Sequence, residues 1–174
     1  MENNIDYTKY YDLEEYLFTD VRDAFQHRGY LTPEEFFAIV IWKAERAKSR
    51  VKLRLLKRGV DLGVTVERLT RQIHEAATDE GRLRIFLEDW EFQLPMSSAI
   101  LSVLYPVRFT VYDVRVRDEL GIRGFAGRKD QVERYFSEFV PRVRSVEHPG
   151  TLRDKDRYLW GKSWREGLQS FLED

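Results

Sequence analysis

Apolar residues in this chain recur at intervals of three and four, the spacing that gathers them on one face of an α-helix. The clearest run is Phe36, Val40, Ala44, Ala47, Val51 and Leu55. It predicts one helix with a single buried stripe, running to about Arg58 and stopping at Gly59. Its start is written in Thr32-Pro33-Glu34-Glu35. A threonine can cap the first amides, proline suits the first helical position, and a glutamate three residues after the cap can close a capping box.

The same signals predict the other elements. Asp12 and Glu15 have capping-box spacing ahead of an aromatic-rich helix reaching about His27. Residues 61–64 read as a loop, and Thr65 as the cap of a helix through Ala76. Thr78 or Asp79 starts another, to about Trp90. A tight connection over 91–95 leads to a short helix from about Ser97 to Tyr105, ended by Pro106. Residues 109–112 are a short apolar stretch open to an extended conformation, and Asp113 stands where the next helix would be capped. Gly121, Gly124 and Gly127 mark a basic turn. Two more helices are predicted, roughly over 130–144 and 152–171. Sustained alternation of period two is missing, so the expected class is all-α, one compact helical domain over 1–174 or two packed lobes.

Composition narrows the function classes. The 174 residues include no cysteine, which excludes disulfides, thiolate metal sites and a cysteine nucleophile. His27, His74 and His148 are scattered without metal-ligand spacing, so no metal and no cofactor are expected. The opening residues 1–6 are polar, and no apolar run approaches the roughly 20 residues a membrane span needs. These features predict a cytoplasmic protein with no membrane partner; oligomeric state is not readable from them.

The net charge of -1 does not announce a nucleic-acid partner, but its distribution is uneven. From Glu2 to Asp23 there are seven acids and two bases; from Lys43 to Arg58 there are eight bases and one acid. Lys43, Arg46, Arg50, Arg54 and Lys57 recur at helical spacing, with Lys48 and Lys52 beside them. Such a row suits a phosphate backbone, because each neutralised phosphate releases counterions. It equally suits a solvated face paired with the acidic N-terminal helix.

The segment from Phe92 to Arg117 carries a motif. Phe92-Gln93-Leu94-Pro95 leads to Met96-Ser97-Ser98-Ala99, then an aromatic and proline-containing stretch, then Val111-Tyr112-Asp113. This order resembles the helix-hairpin-helix DNA glycosylase superfamily. Ser98-Ala99 matches the small pair opening the second hairpin helix, and Asp113 matches the family's aspartate at a helix head. Leu152-Arg-Asp-Lys-Asp-Arg-Tyr-Leu-Trp160 is similar to the closing helix of some relatives. Two positions depart from the pattern. The hairpin lacks the glycines that let backbone amides approach a phosphate, and Ser97 stands where bifunctional members carry the lyase lysine.

The resemblance implies a monofunctional glycosylase acting on damaged or mismatched double-stranded DNA. Its target base would flip into a cleft between the segments 30–60 and 92–120. Asp113 would be the catalytic carboxylate, stabilising positive charge on the sugar and orienting water. Ser97 and Ser98, as helix caps, together with Lys43, Arg46, Arg50, Arg54 and Arg115, would contact the backbone. Trp42 and Tyr112 would line the base pocket. The residues themselves leave alternatives open. Asp113 reads equally as a plain helix cap. Lys43 reads as a nucleophile or as a snorkelling or salt-bridged lysine, and Glu45 as a second acid or a partner of Lys48 or a nearby arginine. Of Trp42, Trp90, Tyr105 and Tyr112, at least three are expected in the core. A non-catalytic DNA-binding or protein-interaction module on the same fold is the competing reading.

Overall fold

The computed structural model describes residues 6–59 and 61–173. The polar opening segment lies outside them, apart from Asp6. Among the described residues every regular element is helical. The chain divides into two compact units, Met1–Ala76 and Ala77–Asp174.

The first unit contains α1 (Leu13–Tyr16), α2 (Arg22–Arg28), α3 (Pro33–Ala44), α4 (Lys48–Leu56) and α5 (Leu62–Glu75). A π-helical turn over Leu17–Val21 joins α1 to α2. The start of α3 is the capping box that the sequence predicts. The Glu35 amide donates to Thr32 Oγ1 at 3.3 Å, and the Thr32 amide donates to the Glu35 carboxylate at 2.7 Å. Arg28 also pairs with Glu35, tying the end of α2 to this cap.

The long basic helix is not continuous. It stops at Ala44, whose backbone is extended, makes one 3-10 turn over Glu45–Ala47, and resumes as α4. Phe36, Val40, Val51 and Leu55 are buried as expected, whereas Ala44 is exposed. A methyl group at that position contributes too little burial to hold the stripe straight across the break. The helix α5 also starts earlier than predicted. Asp61 caps it, its carboxylate accepting from the Val64 amide at 2.8 Å. Thr65 lies inside the helix, buried, and donates its hydroxyl back to the Asp61 carbonyl.

The second unit contains α6 (Asp79–Arg84), α7 (Leu94–Leu104), α8 (Val114–Glu119), α9 (Arg128–Arg134), α10 (Val140–Arg144) and α11 (Leu152–Glu173). Of the two starts read from the sequence, Thr78 and Asp79, Thr78 is the cap of α6, and π-helical turns continue α6 and α9. The helix α7 is apolar on nearly every side, so it sits inside the unit with Ala99, Ile100, Leu101 and Val103 fully buried. The apolar stretch 109–112 is not a strand. Its polar backbone groups are satisfied by side chains instead of a sheet partner. Tyr135 Oη donates to the Thr110 carbonyl at 2.6 Å and accepts the Thr110 amide at 3.0 Å. Ser98 Oγ accepts the Tyr112 amide at 2.8 Å. Around this stretch Phe109, Tyr112, Tyr135 and Phe139 form a contiguous aromatic cluster.

Candidate anion-binding face

Ser97 and Ser98 do not cap a helix. Leucine and proline at 94 and 95 already form the first turn of α7, and Gln93 occupies the cap position. A proline is tolerated there because its missing N–H is one of the unpaired amides of a helix start. Both serines are completely buried. Ser97 Oγ donates to the Gln93 carbonyl, and Ser98 Oγ donates to Pro95 while accepting from Tyr112. Their hydroxyls organise the interior of the second unit.

Asp113 is the cap of α8, as its position predicts. Its carboxylate accepts the Arg115 amide at 3.0 Å, and the side chain is half-buried. Arg115 is exposed, with its guanidinium over the Trp160 ring at 5.8 Å. Tyr112 is buried, its ring packed 4.9 Å from Phe139 and 5.0 Å from Phe125. That face is consumed by core aromatics, so Tyr112 is a packing residue where the sequence suggests a base platform. Trp42 belongs to the first unit, is half-buried and meets Phe18 edge-on at 5.7 Å. Trp90 and Tyr112 are buried but Trp42 and Tyr105 are only half-buried, two core residues where at least three are expected.

The basic row divides into members engaged by the protein and members left open. Lys43, in the last turn of α3, is half-buried and engaged, as is Arg54. Lys48 pairs with Glu45 at 3.0 Å, the structural alternative for that acid. Arg46, Arg50, Lys52 and Lys57 are exposed. Among the described residues none of these four makes an ion pair, and none meets the acidic N-terminal segment. Arg50 and Lys57 lie two turns apart on one side of α4, roughly 10 Å along its axis. The adjoining Leu53 is 61% exposed, so this side of α4 is uncovered.

A surface cavity of about 370 Å³ in the first unit is lined by Thr8, Lys9, Asp12, Glu15, Tyr16, Thr19 and Asp20. None of the sequence-predicted site residues lines it. Its carboxylates include Asp12, already bonded to the Glu15 amide in capping α1. Among the described residues no cluster of histidine and acidic side chains could hold a metal ion. No helix of the described residues is long and apolar enough to cross a membrane.

Scanning the chain against protein-family models, and searching curated proteins and solved structures with it, finds no match.

Proposed function

We propose that this chain binds the phosphate backbone of double-stranded DNA through the exposed cations of the Glu45–Ala47 turn and α4. The observation that carries the reading is the set Arg46, Arg50, Lys52 and Lys57. These side chains are exposed, and among the described residues they make no ion pair. Exposed cations are ordinarily offset by nearby acids at helical spacing. The chain supplies that pairing at Arg71–Glu67, Arg84–Glu88 and, beside these cations, Lys48–Glu45, yet among the described residues not at these four positions. Backbone contact needs no base-edge readout and no glycine hairpin, so it suits both the buried serines and the Gly-free segment at 92–95.

Titration of a fluorescent duplex at several salt concentrations tests the proposal. Three contacting cations, Arg46, Arg50 and Lys57, give an expected slope of about -2.7 for log affinity against log salt. Between 50 and 200 mM salt the affinity is then expected to drop by roughly 40-fold. A duplex that binds no tighter at the lower salt would reject it.

Base excision is the second reading. Asp113 favours it, as a half-buried carboxylate at a helix head with an exposed cation, Arg115, two residues on. Incubation with a panel of lesion-containing duplexes separates the two. Release of a free base by the wild type, lost in Asp113→Asn with duplex affinity unchanged, supports catalysis. Binding without release from any lesion leaves the backbone-binding reading alone.

A further inference from the structure

The last three turns of α11 project an apolar face that is left exposed among the described residues. Leu152, Asp156 and Leu159 face the interior of the second unit and fix the first half of the helix there. From Trp164 to Glu173 every residue is exposed. Trp160, Trp164, Leu168 and Phe171 follow one another at spacings of four, four and three, and so share one side. They are 44%, 48%, 42% and 75% exposed, and Leu172 beside them is 72% exposed. That side is centred about a quarter-turn around the helix from the Leu152–Leu159 face, at about 100° per residue. A helix end of this length, with Gly161 and Gly167 in it, has little stability in water without a surface to lie on.

We propose that this face docks on an anionic lipid surface. The charges are sorted for it. The cations next to the apolar side are Arg165, exposed and without an ion pair among the described residues, and Arg115, whose guanidinium lies over Trp160. The acids Glu166 and Glu173 fall on the opposite side, and Glu166 is held by Lys162. Tryptophan and phenylalanine over a cationic border is the composition of a helix that lies in a bilayer interface. A second copy fits less well. An antiparallel pair would set Arg165 of each copy near its counterpart about the two-fold axis. The apolar repeat also covers fewer than two heptads and carries Gly161 and Gly167, whereas a helix pair needs a longer and better-filled seam. The sequence-based expectation of no membrane partner considers only spanning segments; an interfacial helix needs none.

The test is co-sedimentation of the full chain with vesicles, without nucleic acid. One set is phosphatidylcholine alone, and the other also contains phosphatidylserine. Partitioning into the serine-containing set is expected to be at least ~10-fold stronger, about fivefold for each of the two cations near the surface. Tryptophan emission should shift to the blue and be quenched by brominated acyl chains. The double variant Trp164→Ser, Phe171→Ser is expected to lose at least ~10-fold in partitioning, with an unchanged thermal melt and unchanged duplex affinity. The triple variant Arg50→Glu, Lys52→Glu, Lys57→Glu is expected to keep the emission shift. Four results would overturn the proposal. They are no sedimentation with either vesicle, full binding by the double variant, loss of the shift in the triple variant, or a dimer in solution that the double variant converts to monomer.

Discussion

Replacing Tyr135 with phenylalanine is expected to lower the unfolding free energy by about 2–4 kcal/mol, the cost of leaving two buried backbone groups without a partner. Tyr135 is completely buried, and its hydroxyl serves both the amide and the carbonyl of Thr110. Phenylalanine keeps the stacking on Phe109 and Phe139, so the ring contributes to neither side of the comparison. What disappears is the hydrogen bonding that, among the described residues, satisfies the amide and the carbonyl of Thr110 in a segment with no strand partner. Urea unfolding reads this as a lower midpoint at constant slope. A loss under ~0.5 kcal/mol would show that water replaces the hydroxyl, and that the segment is not held as described.

The same residue gives stability an alkaline limit. Burial pushes the Tyr135 hydroxyl far above its ordinary value of 10.0. Tyr16 is pushed up to about 12, chiefly by burial and then by the nearby Tyr10 and acids. In the unfolded chain both lose their protons near the ordinary value, while in the folded chain they keep them. Their contribution is therefore complete below pH ~10 and is lost as pH rises towards the folded-state values. Tyr135→Phe removes one of these groups. Its stability is expected to fall less steeply above pH ~10 than that of the wild type, even though it starts lower.

How far the fold is legible in the sequence depends on the range of the interaction. The Thr32–Glu35 box, the Thr78 cap and the Asp113 cap are local, made within three residues; the sequence predicts the first and the last and narrows the other to Thr78 or Asp79. Where two local signals compete, the pattern cannot rank them. Asp61 wins over Thr65, and Leu94-Pro95 begins a helix that Ser97 and Ser98 only continue. The break at Ala44 carries no glycine or proline, so no local breaker announces it. Non-local satisfaction is also hidden. Nothing near Ser98 announces that its hydroxyl serves Tyr112, fourteen residues on. The spacing of Trp160, Trp164 and Leu168 shows that they share a face but not what that face meets. For the candidate site, the basic row is visible as composition. Which of its cations are engaged and which stand open is a property of the fold.

Reversing the open row should move binding and stability in opposite directions. Arg46, Arg50 and Arg54 lie four residues apart, and Lys57 lies three beyond Arg54. Arg50 and Arg54 are like charges four apart within α4 and repel by roughly 0.2–0.5 kcal/mol, so the row weakens the helix that carries it. Arg50→Glu places a carboxylate four residues ahead of Arg54, in the favourable orientation. The triple variant Arg46→Glu, Arg50→Glu, Lys57→Glu is therefore expected to be as stable as the wild type or up to ~1 kcal/mol more stable. Its duplex affinity is expected to fall at least ~100-fold at low salt, with the salt slope collapsing from about -2.7 towards zero. A row kept only to solvate the surface would show the gain in stability and no loss of binding. A row buttressing the fold would show a loss of stability along with the loss of binding. Only a phosphate-binding face yields the gain on one axis and the collapse on the other, and the two axes are read by urea unfolding and fluorescence anisotropy on one preparation.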